Sequence, residues 1–336
     1  MRTALALAAL AALSALLCAA AIVLLRPLLQ RYALARPNAR SSHRVPTPQG
    51  GGIAVLGATL AVALPAMHLL GRPDSPLAAA AIVCVGALVL AGLGALDDIR
   101  PLPARPKLAI QAAVAIAVVF LAGPEGRILP APVPFWLERA LVVVGLLWFV
   151  NLVNFMDGID WITVAGVVPT LAFFAVLAVI VGALPPHLVL ATCLLGALLG
   201  FAPFNRPVAR LFLGDVGSLP IGLLVGWLLL GLAGSGGIAA AVLLPLYAVS
   251  DATLTLLRRI ARRERVWEAH RTHFYQRATD NGFSVREVSL AVFKLNVILA
   301  GLALASLEAE AAVQLALVAA GAFLVALQLR RFARPR

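Results

Sequence analysis

Long apolar runs recur along the whole chain and are separated by short polar segments. An α-helix needs about 20 residues to cross the hydrocarbon core of a bilayer, and most of the runs approach that length. The pattern therefore predicts an all-α, polytopic integral membrane protein with about 10–11 transmembrane helices. We expect these helices at 4–25, 52–70, 77–95, 107–122, 138–150, 162–184, 188–202, 219–233, 238–256, 288–305 and 311–328. The first run is expected to be a helix rather than a cleaved signal peptide, because many further spans follow it.

Composition also indicates that lipid surrounds most of the chain. Of 336 residues, 62% are hydrophobic and 12% are charged, whereas a soluble domain carries about twice that charged fraction. No polar stretch is long enough to build a second core, so we expect a single transmembrane domain over residues 1–336. The net charge of +12 would suggest nucleic acid in a soluble protein, but here it lies in short loops between spans. The expected partners are membrane lipids and phosphate-bearing substrates, and no nucleic acid.

The distribution of arginines predicts the orientation in the membrane. An odd number of spans puts the termini on opposite sides, and the basic tail places the C-terminus in the cytoplasm and the N-terminus outside. The cytoplasmic segments are then 26–44, 100–107, 206–210 and 258–286. The opposite loops keep only Arg2, Arg72, Arg127 and Arg139, accompanied by Asp74, Glu125 and Glu138.

Carboxylates concentrate on the same predicted side. Of the eight Asp residues, only Asp74 falls outside. Ionisable groups at a membrane boundary are costly unless they pair, bind a cation or meet water, so this sorting indicates a site. Asp97 and Asp98 end the third span as an adjacent pair, which suits a divalent metal or a proton acceptor. The alternative is a polar helix cap.

Two further segments offer oxygen ligands and tight turns. The first follows the fifth span and holds Asn151, Asn154, Asp157 and Asp160. Oxygen ligands suit magnesium, which takes the rest of its shell from water and substrate phosphates; the alternative is a polar loop at the membrane surface. In the second segment, glycines flank Asp215, and Ser218 is placed to cap the next helix.

Two loops complete the pattern. The loop 41–52 combines two prolines with three glycines that allow close backbone approach to a ligand, or else it is a helix start with small residues for packing. The loop 258–277 holds five arginines that we attribute to topology and lipid contact. His270, Arg271 and His273 follow them, and such a group can bind a diphosphate or move protons.

The order of these five motifs resembles the polyprenyl-phosphate N-acetylhexosamine-1-phosphate transferases of glycosyltransferase family 4. That family also contains the phospho-N-acetylmuramoyl-pentapeptide transferase of peptidoglycan synthesis. The matching segments are Pro46–Gly52, Asp97–Asp98, Asn154–Asp160, Gly214–Ser218 and His270–His273. The resemblance implies transfer of N-acetylhexosamine-1-phosphate from a UDP-N-acetylhexosamine to undecaprenyl phosphate, with release of UMP. It further implies Mg²⁺ (with Mn²⁺ as a substitute), an active site at the cytoplasmic face of the bacterial inner membrane, and it allows a homodimer.

The resemblance also implies a role for each candidate side chain. The metal ligands would be Asn154 and Asp215; the catalytic residues would be Asp97, Asp98, Asp157, Asp160, His270, Arg271 and His273; the substrate-binding residues would be Thr47, Gly51, Asn151, Asp160, Phe212 and Arg271. Phe212 matches an aromatic that stacks on uracil, and Asp160 lies where the nucleotide is read. Asp97 and Asp98 match positions taken either as a base or as positioners of phosphate and metal.

Two positions depart from the family pattern. The last motif reads Tyr275-Gln276 where many members have a further histidine, and Trp161 stands where a glycine often follows the second Asp of the middle motif. The last loop is more similar to the enzymes that initiate O-antigen or other surface-polysaccharide synthesis. Donors of N-acetylglucosamine, N-acetylfucosamine and N-acetylgalactosamine all stay open.

The main alternative function is a transporter or lipid flippase. Transporters place polar residues near the bilayer midplane, often on paired repeats. Here the polar residues cluster at one predicted face, and no repeat is visible. A degenerate scaffold of the same fold is expected to have lost a motif carboxylate, and none is lost.

Overall fold

A computed structural model describes residues 1–35, 46–70, 77–124, 126–130, 132–265 and 270–336. The helices are α1 Arg2–Tyr32, α2 Gly51–Leu70, α3 Leu77–Ile99, α4 Ala104–Leu121, α5 Phe135–Phe155, α6 Ile162–Val181, α7 Pro186–Phe201, α8 Asp215–Gly234, α9 Ile238–Leu243, α10 Leu246–Ala261, α11 Phe274–Asp280, α12 Val285–Ser306 and α13 Ala311–Phe332. Two-residue strands, β1 Leu34–Ala35 and β2 Thr47–Pro48, pair antiparallel. The all-α, polytopic fold class is confirmed. Arg72, Asp74, Glu125 and positions 41–45 of the first motif lie outside the described residues.

Membrane-spanning length distinguishes most of the helices. Within the described ranges, nine helices are long and apolar enough to cross a membrane, and α7 is a shorter apolar helix. Ten of the predicted spans each coincide with one helix. The span predicted at 238–256 is instead divided into α9 and α10, with Pro245 between them. Proline lacks an amide hydrogen and removes one helical hydrogen bond, but α6 and α8 continue through Pro169 and Pro220, so Pro245 marks the break and does not by itself explain it.

The chain ends lie at opposite ends of the helix bundle. At one end, the Thr3 hydroxyl donates to the carbonyl of Gly182, just beyond α6, at 3.3 Å. At the other end, the amide of Arg336 donates to the carbonyl of Asn281 at 3.0 Å. We call the latter the site end, because α3 and α5 finish there and α8 begins there. The opposed termini agree with the predicted topology, while the assignment of the site end to the cytoplasm stays a prediction.

Among the nine helices of spanning length, α8 is the most enclosed, and it packs against α2, α3, α5 and α9. Within it, 89% of an 18-residue stretch is buried. Small residues let the neighbouring backbones come close: a Cβ added at Gly94 of α3 would overlap the backbone of Asp215 at the start of α8. In lipid, the hydrophobic effect does not drive apolar helices together. Close backbone packing therefore contributes much of the stability of their association.

The packing of α3 on α8 predicts a difference between two glycines of the same helix. Gly94→Ala should lower stability by about 1–3 kcal/mol, the usual effect of overpacking, because the new methyl group meets backbone. A Cβ added at Gly92 would meet no neighbouring atom within 4 Å, so Gly92→Ala should be neutral or slightly stabilising through helix propensity. Thermal unfolding of both variants in detergent checks this. Equal unfolding midpoints would contradict the packing described.

Candidate active site

A lysine and two carboxylates from three helices meet at the site end. The ammonium nitrogen of Lys107, in α4, lies 2.7 Å from Asp97 Oδ2 at the end of α3 and 2.5 Å from Asp215 Oδ2 at the start of α8. Asp97 and Asp215 were both predicted site residues, and the structure brings them to one cation. Lys107 was not predicted. Its signal in the sequence is that it is one of only two lysines among 27 basic residues.

Asn154 joins this cluster from the last turn of α5. Its amide nitrogen donates to Asp215 Oδ1 at 2.6 Å and to the hydroxyl of Ser218 at 2.9 Å. The two predicted metal ligands are therefore neighbours. Ser218 lies within the first turns of α8 and fixes the Asn154 side chain rather than capping its own helix.

Asp98 holds the beginning of α8. Its Oδ1 accepts the amide of Asp215 at 3.0 Å, and its Oδ2 accepts the amide of Val216 at 3.1 Å. A carboxylate at the positive end of a helix satisfies amides that have no partner within the helix. Gly214 has φ +78° beside this carboxylate, and a Cβ there would press against Asp98. The two adjacent aspartates thus have different partners. Asp97 pairs with Lys107, whereas Asp98 binds two backbone amides, a geometry that favours a role in positioning Asp215 over a role in proton transfer.

Asp157 lies between α5 and α6 and accepts a hydrogen bond from the hydroxyl of Thr163. Burial of the carboxyl group raises the pKa of Asp157 to about 8, and the negative charges of Asp215 and Asp98 add to the shift, while the Thr163 bond opposes it. A pKa raised to this value means that Asp157 is largely protonated at neutral pH, chiefly because the carboxyl group is buried.

Asp160 and Asn151 have hydrogen-bond partners at the site end that lie outside the Lys107 cluster. Asp160 is buried, and its Oδ2 accepts the amide of Ala209 at 2.9 Å, which anchors the segment between α7 and α8. Asn151 donates to Gln111 Oε1 at 2.8 Å, one helical turn beyond Lys107. Asn151 thus braces α5 against α4, and Gln111 is a second residue that sequence reasoning missed.

The segment from β2 to α2 pairs with the segment that leads into α8. The amide of Phe212 donates to the carbonyl of Pro48, and the amide of Gly51 donates to the carbonyl of Phe212, both at 2.9 Å. Thr47 is buried beside them, whereas the Phe212 side chain is half-buried and accessible. Three predicted substrate-binding residues, Thr47, Gly51 and Phe212, thus lie on one short backbone ladder next to Asp215.

Asp251 organises the last motif from within α10. The side chain is fully buried, and its carboxylate accepts the amides of Phe274 and Tyr275 at 2.9 and 3.1 Å and the hydroxyl of Tyr247 at 3.1 Å. Nδ1 of His273 lies 3.3 Å from the same carboxylate. Asp251 therefore caps α11 and orients the imidazole of His273. The sequence placed Asp251 on the site side but gave it no role, because its partners in the last motif lie 22 or more residues away.

The two histidines of the last motif stack on each other. The ring centroids of His270 and His273 are 4.9 Å apart, and Nδ1 of His270 lies 2.5 Å from a guanidinium nitrogen of Arg259. Arg271 points away from the stack, to a carboxylate oxygen of Asp280 at 3.1 Å. The predicted trio therefore separates into an imidazole pair and a guanidinium held by an exposed carboxylate.

Tyr275 connects the last motif with the middle one. Its hydroxyl donates to the carbonyl of Phe155 at 2.9 Å, and a Cβ added at Gly158 would overlap that hydroxyl. The ring of His273 lies 6.3 Å from the ring of Phe155, the neighbour of Asn154. The predicted motifs thus lie side by side at the site end.

The donor set meets the basic requirement of a magnesium ion. Among the described residues, no group of three or more His, Cys, Asp or Glu side chains encloses a metal site. Asp97 and Asp215 nevertheless aim one oxygen each at a common cation, Lys107 Nζ. Magnesium typically takes one or two carboxylates and completes its shell with water and substrate phosphates. The residues present fit such an ion, with Asp215 and Asn154 as the adjacent pair.

Comparison with known proteins places the chain in a family. The family model for glycosyl transferase family 4 matches residues 80–233, a stretch that contains Asp97, Asn154, Asp157 and Asp215. The chain is 27% identical over 296 residues to a probable undecaprenyl-phosphate N-acetylglucosaminyl 1-phosphate transferase of Bacillus subtilis, covering 82% of this chain and 79% of the relative.

Two other relatives show the same family. A decaprenyl-phosphate N-acetylglucosaminephosphotransferase of Mycobacterium leprae is 30% identical over 298 residues, 78% of this chain and 73% of the relative. A phospho-N-acetylmuramoyl-pentapeptide-transferase of Streptococcus pyogenes is 32% identical over 194 residues, 53% of this chain and 57% of the relative. With its helical membrane fold and the clustered motif side chains, the chain belongs to glycosyl transferase family 4.

Proposed function

We propose that this protein transfers N-acetylhexosamine-1-phosphate from a UDP-sugar to undecaprenyl phosphate. A phosphate oxygen of the lipid attacks the β-phosphorus of the donor. The bond between that phosphorus and the oxygen that bridges it to the α-phosphorus breaks, and this oxygen leaves as part of UMP. A lipid diphosphate-sugar remains. The observation that carries the proposal is the meeting of Asp97, Lys107, Asn154 and Asp215 at one end of a membrane bundle. The names of the relatives support the same reaction.

The expected role of these residues is to offset the negative charge of the reacting phosphates. Phosphoryl transfer passes through an anionic transition state, so fixed positive groups lower its free energy. Lys107 supplies one such group within the cluster, and Arg271 in the last motif supplies another. Asp215 and Asn154 would hold Mg²⁺, or Mn²⁺ in its place, which supplies further charge neutralisation for the diphosphate. Polyprenyl phosphate is already largely ionised, so positioning by Asp97 matters more than proton removal.

A small apolar cleft of about 40 Å³ lies next to the site. It is lined by Phe149, Met156, Thr163, Tyr247 and Val292, among others, and Thr163 also binds Asp157. This volume takes at most the phosphate-proximal end of a prenyl chain, so the rest of the acceptor would lie in the surrounding lipid. The half-buried ring of Phe212 is suited to stack on uracil.

The basic segments at the site end support an assignment of the membrane and of the side that the site faces. The protein would act in the bacterial inner membrane with this end in the cytoplasm, where the UDP-sugar is supplied. The last loop favours a role at the start of surface-polysaccharide synthesis. A transporter has less support, because the polar side chains gather at one end of the bundle rather than at its middle.

The decisive experiment is a donor panel. Purified protein is incubated with undecaprenyl phosphate, magnesium and one UDP-sugar at a time, starting with UDP-N-acetylglucosamine, and UMP release is measured. We expect release from one N-acetylhexosamine donor and none when the lipid is omitted. Absence of UMP with every donor, from protein that is folded and monodisperse, would reject the proposed function.

Asp215 is expected to be essential for magnesium-dependent turnover. Asp215→Asn keeps the shape but removes the charge that faces Lys107 and the proposed metal, so UMP release should fall by about 10²-fold or more. Glu308→Gln, a carboxylate-to-amide change at an exposed position, should leave the rate unchanged. Full activity in Asp215→Asn, or turnover that persists after chelation of divalent ions, would exclude this metal site.

Lys107 is expected to matter far more than the other lysine of the chain. Lys107→Met removes the cation between Asp97 and Asp215, so kcat should fall by about 10²-fold. Lys294 is exposed on α12, and Lys294→Met should behave like the unchanged protein. Comparable rates for the two variants would show that Lys107 serves stability only.

A further inference from the structure

A second cavity lies at the site end, behind Asp160. Its volume is about 400 Å³, and its lining consists of Trp161, Arg206, Pro207, Val208, Arg210 and Arg286. Small-molecule sites usually fall between about 300 and 1,000 Å³. None of these six residues belongs to the acid cluster or to the stacked histidines. We call this space the arginine cavity.

The charge around the arginine cavity is unbalanced. Arg206, Arg210 and Arg286 are exposed, and within the described part of the chain none of the three forms a salt bridge or a side-chain hydrogen bond. The nearby carboxylates have other partners: Asp160 accepts the amide of Ala209, and Glu287 pairs with Arg336. Three exposed guanidinium groups around one cavity make it a favourable place for an anion.

Arg286 brings the third positive charge to the cavity from the first turn of α12. The positive amide end of that helix is already capped by Ser284 and Glu287, since the amide and hydroxyl of Ser284 donate to the Glu287 carboxylate. The charge of the cavity therefore comes from the guanidinium groups and not from the helix end.

Trp161 forms the aromatic wall of the cavity and is held firmly. Its amide donates to Asn205 Oδ1 at 2.8 Å and its indole nitrogen donates to the carbonyl of Ala202 at 2.7 Å. Its φ is 64°, a left-handed conformation that is unfavourable for a bulky residue. Glycine would avoid that cost, so the large ring is retained against a local conformational penalty, as is common at binding sites.

The depth of the cavity matches the surface of a bilayer. Trp161 directly precedes α6 and Arg286 begins α12, and both helices are long enough to span. Val208 is 78% exposed at the rim, as expected of an apolar side chain that meets lipid. Tryptophan is enriched at the level of lipid headgroups, and basic side chains there bind anionic ones. Guanidinium forks bind phosphate oxygens in pairs.

We propose that the arginine cavity binds a phosphate-bearing anionic group, supplied by the headgroup of an anionic phospholipid in the adjacent leaflet. The three arginines take the phosphate, and the indole of Trp161 packs on the glycerol region. Its lining residues are not those of the acid cluster or the stacked histidines, although Asp160 connects the cavity wall with the candidate site; binding there does not depend on the proposed function. Because Asp160 binds the segment 206–210, an occupied cavity also steadies the chain that leads to Phe212 and Asp215.

The test compares two triple variants with equal loss of charge. One is Arg206→Gln with Arg210→Gln and Arg286→Gln; the control is Arg100→Gln with Arg330→Gln and Arg334→Gln, three exposed arginines on the same end of the bundle. Delipidated protein in neutral detergent is titrated with short-chain phosphatidylglycerol, with short-chain phosphatidylcholine, or with inorganic phosphate. Binding is followed by the unfolding midpoint and by the change in tryptophan fluorescence. Loss of that fluorescence change in Trp161→Phe would assign it to the cavity.

We expect saturable binding of phosphatidylglycerol at least tenfold tighter than of phosphatidylcholine. The cavity variant should lose at least tenfold in that affinity, while the control variant keeps it. Binding of inorganic phosphate that is lost in the cavity variant, without binding of phosphatidylglycerol, would assign the site to soluble phosphates and overturn the lipid assignment. Equal lipid binding by both triple variants would overturn the proposal. Single changes at the same three exposed positions give the same comparison if the triple variant does not fold.

Discussion

The start of α8 depends on a carboxylate from another helix. The first amides of a helix have no partners within it, and where water is scarce they must be satisfied by other groups. Asp98, from the end of α3, accepts two of them. Close packing of Gly94 against the same turn lets α3 come near enough to do so. The position of Asp215, and with it the cluster around Lys107, follows from that contact.

Negative charge at the site end is divided according to what each carboxyl group can bind. Asp97 and Asp215 share the ammonium group of Lys107, while Asp98 and Asp251 accept backbone amides at the starts of α8 and α11. Asp157 accepts a hydrogen bond from a neutral hydroxyl group, and its pKa is raised to about 8. A substrate diphosphate adds charge to this region, so a further cation is favoured once the donor binds.

Hydropathy and motif order predict much of this arrangement, because polar side chains at helix ends on one side of a membrane are confined to the same surface of the bundle. Asn154, Asp97 and Asp215 were placed together on those grounds. The partners of Asp98, Asn151 and Asp251 depend on which helices pack side by side, and no local pattern encodes that. Lys107 looked like one more basic loop residue. A proline in an apolar run does not identify a break, because α2, α6 and α8 each contain one and remain continuous; the sequence therefore does not distinguish Pro245.

The contact between Tyr275 and the middle motif limits how this chain can change. Gly158 has no room for a side chain while the phenol of Tyr275 reaches the carbonyl of Phe155. A Cβ at 158 would also come within 2.6 Å of Gln276 Nε2, so a larger residue there requires a shorter side chain at 275 and a displaced one at 276. Tyr275 and Gln276, the two departures of the last motif from the common family pattern, thus constrain Gly158 together, and chimeras that exchange the last loop alone with a histidine-bearing relative would change the packing around Gly158.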